Sequence, residues 1–575
     1  MTNSRSTISI RWLAAAVGIV IASSAAADII YVDDSAAGGT NDGSSWANAF
    51  LDLQDALKIA QAGDEIRIGQ GVYKPAPPGG DRAISFNLVS GVIIQGGYAG
   101  VGAPPGVDPD ALDPNIYETV LSGDLTGAHS EHVVRANSVS DAALRGVTIT
   151  GGIAPPNGLR TTGAGLRAMN SELAIEDCRV VANLADISGA GVWSQGGMLS
   201  IANTVFAKNH CHNPSGGGAG LVATQCHVRD SRFESNSSPF GDGGGAWVGP
   251  GSRIEQCVFI NNEAHRGGGL AMQDAIALDC LFINNNSNEY GGALSGGGDD
   301  QAVNCRFIGN ISDLCGGSVY NSPKGSLTMV NCAFTGNESE HQGGAIRSDD
   351  NLTLINCSIV GNRIDEQGSS YGGGGVYANG QLIAVNTILW DNLAPNGSVQ
   401  QAHQIELGPT PRVMMTNCCV MGWTGSLGGI GNHGNDPRFV DADGPDNIYG
   451  TADDNPRLLP NSPCIDSGNS AVLPPDQFDL DEDGNTTEPL PIDLDGLPRV
   501  VGANVEMGAY EFQGTPCRAD IDGNGSVAVN DLLAVILVWG PCTPGQMCNS
   551  DLDLDGEIAV NDLLMVITTW GDCPG

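Results

Sequence analysis

One phrase recurs along residues 160–425 and constrains the fold more than any other feature of the chain. It consists of a glycine cluster and an apolar residue, a turn, two apolar positions, a polar residue, a small residue, an apolar residue and an asparagine. A fixed period of 20 to 50 residues indicates a solenoid. Because 82 of the 575 residues are glycine, short stacked β-coils fit better than helical pairs. The closing asparagines lie 23 to 30 residues apart: Asn183, Asn209, Asn236, Asn262, Asn285, Asn310, Asn337, Asn362 and Asn392.

The phase of the side chains gives the shape of each coil. Apolar residues lie five and three positions before the small residue and two after it, as in Leu173, Ile175, Cys178 and Val180. Inward side chains on one strand keep one parity, so the chain must bend just before the small residue. Asn and Asp tolerate the left-handed backbone of such a bend, and they occupy it in nine coils: Asp177, Asn203, Asp230, Asp279, Asn304, Asn331, Asn356, Asn386 and Asn417. Two short strands at this bend, with a third strand led by glycine, predict an all-β fold, a right-handed parallel β-helix.

Several phrases resemble known β-helix proteins. The repeat Gly343-Gly-Ala-Ile346, with its Phe-x-x-Asn partner phrase, resembles the passengers of polymorphic outer-membrane autotransporters. The phrases 31–34 and 42–46 near the start, and 462–466 and 505–511 near the end, resemble a group of exported bacterial β-helix proteins. A single coil exposes two unpaired backbone edges that only stacking removes, which predicts one continuous β-helix over residues 28–425. Apolar residues at helical spacing predict a helix at about 46–62 that caps its open end.

The N-terminus predicts export. Arg5 and Arg11 precede a short apolar run, Trp12–Ala22, and small residues end at Ala27. This pattern is typical of a secretory signal peptide over residues 1–27 and too short for a membrane span. We therefore expect a secreted or cell-surface protein without a membrane span.

The last sixty residues contain a duplicated acidic loop. Oxygen-bearing side chains at loop positions 1, 3, 5 and 12, with glycine at position 6, form the pattern of a calcium-binding loop. Each loop runs into an apolar stretch, Leu532–Trp539 or Leu563–Trp570, which predicts one helix per copy. The pattern predicts two Ca²⁺ ions in a small domain at 514–575. The candidate ligands are Asp520, Asp522, Asn524, Ser526 and Asp531 in the first copy, and Asp551, Asp553, Asp555, Glu557 and Asp562 in the second.

This loop–helix duplication resembles a dockerin, a module that binds a cohesin-type receptor. The resemblance implies that Val529-Asn530 and Val560-Asn561 contact the receptor, and that either copy could dock because the two are nearly identical. Four cysteines bracket the copies and predict a disulfide framework. They allow three connectivities, of which pairing within each copy is the simplest symmetric one: Cys517 with Cys542, and Cys548 with Cys573.

Residues 426–513 form an acidic region that we predict to be a cap or linker. Asp479, Asp481, Asp483 and Gly484 repeat the start of a calcium loop, but Leu490 stands at position 12. A third calcium site and a solvated acidic loop both remain open here.

Charge and fold leave two classes of function. The formal net charge of −40 argues against nucleic acid as a partner. The first class is a non-catalytic glycan-binding or adhesion protein, attached to a scaffold or cell surface, and it is favoured because no catalytic signature is present. The alternative is a polysaccharide lyase or glycoside hydrolase, which the resemblance to dockerin-bearing proteins implies. Its catalytic residues remain unassigned, and the nearest candidate is an acidic stripe on successive turns beside Arg347: Asp274, Asp299, Asp300, Asp349 and Asp350.

Overall fold

The structure is a computed structural model that describes residues 27–155, 162–213, 216–365, 372–395, 400–409, 411–514, 517–542, 548–553 and 555–573. Residues 1–26 of the predicted signal peptide lie outside these ranges. Within the ranges, no helix is both long and apolar enough to cross a membrane.

Four parallel sheets run along the described chain from Ile29 to Val420, and we number them in the order in which each coil meets them. Sheet 1 contains Ile29–Val32, Glu65–Gly69, Ile93–Tyr98, Ala142–Arg145, Leu173–Glu176, Leu199–Ala202, Cys226–Arg229, Arg253–Glu255, Ile276–Leu278, Asp299–Val303, Ser326–Val330, Asn351–Ile355, Gln381–Val385 and Arg412–Thr416. Sheet 2 contains Gly71–Tyr73, Thr119–Ser122, Val147–Thr150, Arg179–Val181, Val205–Ala207, Arg232–Glu234, Val258–Ile260, Leu281–Ile283, Arg306–Ile308, Ala333–Thr335, Ser358–Val360, Ile388–Trp390 and Cys419–Val420.

Sheets 3 and 4 complete each coil. Sheet 3 contains Ile153–Ala154, Leu184–Ala185, His210–Cys211, Ser237–Asp242, Glu263–Arg266, Asn286–Tyr290, Ile311–Ser312, Glu338–Ser339 and Arg363–Ile364. Sheet 4, which begins after the glycine clusters, contains Phe86–Asn87, Val134–Asn137, Leu166–Met169, Val192–Gln195, Leu221–Ala223, Ala246–Val248, Leu270–Met272, Leu294–Gly296, Val319–Asn321, Ile346–Ser348, Val376–Ala378 and Ile405–Leu407. The parallel β-helix is therefore confirmed, and the short strand of sheet 3 is an addition to the three strands predicted for each coil.

The interior consists of stacked identical side chains. Phe206, Phe233, Phe259, Phe282, Phe307 and Phe334 stack with ring centroids 4.6–4.9 Å apart. The closing asparagines of the repeat form a second stack that is completely buried. Each Nδ2 donates to Oδ1 of the asparagine in the next coil at 2.8–3.1 Å. Because buried amides must find partners, this asparagine ladder explains why the same residue closes every coil.

The predicted bend is also confirmed. All nine Asn and Asp residues at the bend have positive φ, between 46° and 54°. Neighbouring bends touch, since Nδ2 of Asn331 donates to Oδ1 of Asn304 at 3.0 Å. In the C-terminal coils the bend side chains also face the cap, and Nδ2 of Asn331 donates to the carbonyl of Ile492 at 2.8 Å.

Replacing Asn331 by valine should lower the free energy of unfolding by about 1 to 3 kcal/mol. A β-branched residue resists the left-handed backbone, and both hydrogen bonds of the amide are lost. Chemical unfolding followed by circular dichroism would measure the change. Asn331→Gly is the matched control because it keeps the backbone freedom and loses only the side chain, so it should cost less than valine. Equal stability of Asn331→Val and the wild type would contradict this account.

The N-terminal cap is shorter than the predicted helix at 46–62. A 3-10 helix, Trp46–Asn48, is followed by an α-helix, Leu53–Ile59, whose N-cap is Asp52. Leu53, Ala56 and Leu57 of this helix are buried. The helix stops at Ile59 because Ala60 takes an extended conformation and the chain enters the next strand of sheet 1 at Glu65.

Residues 426–513 fold back along the outside of sheets 1 and 2. They contain an antiparallel pair, Phe439–Asp441 with Asn455–Leu458, and a 3-10 helix, Ser470–Val472. Leu458, Cys464, Ile465 and Met507 pack against Ile388, Trp390 and Cys419 of the last coils. We refer to residues 426–513 as the cap.

The C-terminal module differs from its prediction in two respects. Its helices are Val529–Leu537 and Val560–Thr568 and begin three residues earlier than expected. The disulfides join Cys517 with Cys573 and Cys542 with Cys548, so the predicted pairing within each copy is wrong. The reason is the arrangement of the copies: Ser526–Val527 pairs with Gly571–Asp572 and Gly540–Pro541 pairs with Glu557–Ile558, which brings the two ends of the module together. Outside the module, the remaining described helix is Gln400–Gln404, which directly precedes the last strand of sheet 4.

Candidate functional site

The first acidic loop is folded around its own carboxylates. Asp520 accepts hydrogen bonds from the backbone N–H groups of Asn524 (3.1 Å) and Gly525 (2.9 Å). Asp531 accepts from Ile521 at 2.7 Å and from Ala528 at 2.8 Å, and thereby starts the helix. Asp520 and Asp531 are both buried, and one carboxylate oxygen each from Asp520, Asp522 and Asp531 lies within 4.8 Å of the others.

The second loop repeats these contacts. Asp551 accepts from Asp555 (3.1 Å) and Gly556 (2.9 Å), and Asp562 accepts from Leu552 (2.6 Å) and Ala559 (2.8 Å). Burial, together with the charges of the neighbouring aspartates, raises the pKa of Asp551 to about 6.

The predicted ligands of both copies fit a hard cation. Clustered and buried carboxylates repel one another, and a calcium ion relieves this repulsion. At the middle of each loop, Asn524 and Asp555 accept backbone N–H bonds from Ser526 and Glu557 at 2.9 Å. All ten predicted ligands therefore belong to two equivalent loops.

Both helices of the module present apolar side chains to solvent at equivalent positions. The pairs, each separated by 31 residues, are Val529 and Val560, Leu533 and Leu564, Ile536 and Ile567, and Trp539 and Trp570. Each of these side chains is between 45% and 58% exposed. Spacings of four and three residues place the three helical members of each copy on one side of their helix, and we call these eight residues the docking face.

The acidic stripe predicted beside Arg347 is largely structural. Asp300 is buried, and its carboxylate accepts from the backbone N–H groups of Ala275, Gly297 and Gly298 at 2.9–3.1 Å. Asp274 accepts from Asp299 N at 3.0 Å, and Asp350 accepts from Lys324 N at 2.8 Å. These side chains fix turns between coils.

Sequence reasoning missed a row of aligned positions on sheet 4 that holds aromatic side chains and arginines, with small buried residues between them. Strand register aligns these positions from coil to coil. Their inward neighbours, such as Leu166 and Val192, are completely buried. The signal was present in the sequence, because each member directly follows the apolar residue of a glycine phrase. We call this row the sheet 4 ladder: Arg167, Trp193, Val222, Trp247, Ala271, Ser295, Tyr320, Arg347 and Tyr377.

The C-terminal half of the sheet 4 ladder is an ordered cluster. The guanidinium of Arg347 lies 5.5 Å from the ring centroid of Tyr290 and 5.7 Å from that of Tyr377. Tyr290 stacks on Tyr320 with centroids 4.5 Å apart. Asp349 pairs with Arg347 at 3.1 Å and accepts from the hydroxyl of Tyr320 at 3.1 Å. Burial, reinforced by Asp349, raises the pKa of Tyr320, so its hydroxyl stays protonated as a donor.

A cleft of about 470 Å³ lies on the outer side of sheet 2 in the N-terminal half of the β-helix. Two carboxylates and a guanidinium line it, and Glu118 accepts from Oγ1 of Thr148 at 2.9 Å. Its polar lining is Gln95, Asn115, Glu118, Asp177, Arg179 and Asn203.

The last coil and the cap meet at a buried cluster of Cys419, His433 and Cys464. Burial opposes ionisation of Cys464, but hydrogen bonds from Cys419, His433 and Ser462 lower its pKa to about 6. These residues are far apart in sequence, and no local sequence pattern predicts the cluster.

Comparisons with known proteins show similarity of fold. A scan against protein-family models finds no match, and a search of curated proteins finds none either. Among solved structures, pectate lyase Pel9A is similar at 14% identity and a TM-score of 0.35, over 85% of this chain and 97% of that one. The A-module of the mannuronan C-5 epimerase AlgE4 from Azotobacter vinelandii is similar at 17% identity and a TM-score of 0.33, over 66% of this chain and 99% of that one. A rhamnogalacturonan lyase is similar at 12% identity and a TM-score of 0.30, over 75% of this chain and 96% of that one. The protein is similar to these chains. Its own four parallel sheets establish that it is a parallel β-helix.

Proposed function

We propose that the protein is an exported polysaccharide-binding β-helix protein that holds an extended glycan along the sheet 4 ladder. The observation that carries this proposal is the alignment of Trp193, Trp247 and Tyr377, all partly exposed, on one outer face. Binding sites for small molecules and sugars combine aromatic surface with a few fixed polar groups. A solenoid face supplies such groups at the regular spacing of its coils, about 4.8 Å, which suits a chain-like ligand.

The charges favour a neutral or weakly acidic glycan. Arg347 of the ladder contacts Asp349 at 3.1 Å, and Arg266 of the neighbouring sheet 3 contacts Glu289 at 2.8 Å. Both guanidinium groups are therefore already paired. Paired guanidinium groups donate hydrogen bonds to hydroxyl groups but attract a polyanion weakly. The net charge of −40 also repels strongly anionic chains.

Replacing Trp193 and Trp247 together by alanine should weaken glycan binding at least tenfold, a loss of about 1.4 kcal/mol. A panel of neutral and acidic polysaccharides in affinity electrophoresis would measure the change. Trp570→Ala is the matched control because Trp570 is 50% exposed and lies outside the ladder. Unchanged retardation of the double variant on every glycan that retards the wild type would contradict the assignment.

The sheet 2 cleft favours a second candidate function, hydrolysis or lytic cleavage of a polysaccharide. Glu118 and Asp177 supply two carboxylates and Arg179 a cation in one cleft, and glycosidases work with a pair of carboxylates. The same panel tests this candidate by release of reducing or unsaturated ends. Glu118→Gln and Asp177→Asn should each abolish the release, and the absence of any products from the wild type would remove the candidate.

The C-terminal module gives this surface an attachment point. In this proposal two Ca²⁺ ions order the loops that contain Asp520 and Asp551, and the docking face binds an apolar surface of a cohesin-like receptor. The support is the duplicated loop geometry and the exposed apolar pairs Val529/Val560 and Leu533/Leu564. Attachment to a scaffold or cell surface would keep the β-helix at its polysaccharide.

A further inference from the structure

The cap segment 474–490 folds back on itself beside sheet 1. Pro475 and Pro489 form an antiparallel bridge. The backbone N–H of Asp476 donates to the carbonyl of Glu488 at 2.8 Å, and that of Leu490 donates to Pro474 at 2.8 Å. Two acidic residues that are twelve positions apart in sequence therefore lie opposite each other.

Both acidic residues bury an oxygen that has no partner. Asp476 is 1% exposed, and its Oδ2 accepts from Leu480 N at 2.8 Å. Its Oδ1 is buried and accepts no hydrogen bond from any described residue. Oε1 of Glu488 is also buried and accepts no hydrogen bond within the described chain, while its Oε2 accepts from Asn485 at 3.0 Å. A buried oxygen without a partner costs about 1–3 kcal/mol, and more when it is charged.

A third carboxylate faces the same point. One oxygen each from Asp476, Asp481 and Glu488 lies within 4.8 Å of the others. The segment between Arg457 and Arg499 contains no Lys or Arg, so it supplies no cation of its own. Burial and the charges of Asp481 and Asp479, opposed by backbone N–H groups, raise the pKa of Asp476.

We propose that Asp476, Asp481 and Glu488 bind one divalent cation of calcium chemistry, which holds the cap against the β-helix. The donors are all carboxylate oxygens, which suit a hard cation, whereas zinc prefers nitrogen and sulfur. Leu490, at loop position 12, has no side-chain oxygen to bind a cation. In this site its place is taken by Glu488 and by Asp476, which precedes the loop. Leu490 instead packs against the outer side of sheet 1.

The position of the site explains its role. Leu490 packs with Leu278, Val303 and Val330 of sheet 1, and Phe478 and Leu480 pack against the same cluster. Nε2 of Gln477 donates to Oε1 of Gln301 at 3.0 Å. The cation joins the two arms of segment 474–490, so it stabilises the surface through which the cap contacts the central coils.

Counting bound calcium on the full chain tests the proposal. Equilibrium dialysis with radioactive calcium should give three ions for the wild type and two for Asp476→Asn/Glu488→Gln. Asp520→Ala/Asp551→Ala should retain one ion, and combining all four substitutions should remove it. Asp313→Asn/Glu340→Gln, which alters two exposed acidic residues, is the control and should bind three.

The design separates this site from the calcium loops of the module. If the module binds no calcium, the wild type should bind one ion and Asp476→Asn/Glu488→Gln none, which supports the site. An unchanged count in Asp476→Asn/Glu488→Gln overturns it.

A second measurement does not depend on the folding of variants. Amide hydrogen exchange of the wild type should slow at least tenfold at Asp476, Leu480 and Leu490 when calcium is added. Exchange at these amides that is equal with calcium and with chelator also overturns the proposal.

Discussion

Replacing Asn310 by alanine should lower the free energy of unfolding by about 4 kcal/mol. Its Oδ1 accepts from the backbone N–H and from Nδ2 of Asn285, both at 3.0 Å. Its Nδ2 donates to the carbonyl of Phe282 at 3.0 Å and to Oδ1 of Asn337 at 2.9 Å. Each buried hydrogen bond contributes roughly 1 kcal/mol, and the partners left behind have no water to replace it.

Chemical unfolding monitored by circular dichroism would measure this loss. Asn288→Ala is the matched control, because Asn288 is an exposed asparagine of the preceding coil whose side chain donates to the carbonyl of Pro239. It should change the stability by less than about 0.5 kcal/mol, as surface substitutions usually do. Equal effects of the two substitutions would mean that the asparagine ladder does not hold the coils together.

Removing calcium should destabilise the C-terminal module by about 5 kcal/mol. Each ion present at one hundred times its dissociation constant contributes about 2.7 kcal/mol, and the module has two loops. Its core is small, with Val535 and Val566 as the buried apolar residues of its two helices, so other interactions contribute little to its stability. The disulfides Cys517–Cys573 and Cys542–Cys548 limit how far the chain expands.

Amide hydrogen exchange on the full chain would detect this change. In chelator, the N–H groups of Ile521, Ala528, Leu552 and Ala559, which donate to Asp531 and Asp562, should exchange at least a hundredfold faster. Asp520→Ala/Asp551→Ala should show the fast exchange even with calcium present. Binding of a receptor to the docking face should be lost under the same conditions. Protection that persists in both the chelated wild type and the double variant would refute a calcium-ordered module.

Local rules predicted much of the fold. Parity along a strand located the bend before each small residue, and the positive φ at Asn304, Asn331 and Asn356 follows from that alone. The contacts within the two acidic loops were predictable for the same reason, since positions 1 to 12 of a loop are set by a few consecutive residues. Asp531 and Asp562 indeed contact the start of their own loops.

The residues of the sheet 4 ladder could be found in the sequence, but their alignment on one face depends on the register between coils. Coil lengths vary from 23 to 30 residues, so sequence distance does not reveal that Trp193, Trp247 and Tyr320 share a face. Parallel pairing fixes that alignment. Tyr290 joins the cluster from sheet 3, across a turn.

The sequence by itself determined what repeats: the coil, its bend, its buried asparagine and the two acidic loops, because each depends on neighbours a few residues away. Only the tertiary structure decided the contacts that cross between distant segments. The copies of the module face each other, and so Cys517 meets Cys573. The cap folds back along sheets 1 and 2, and so Asp476 meets Glu488 beside Val303. Such contacts follow from how whole surfaces pack, and packing free energy is spread over many residues that carry no local signature.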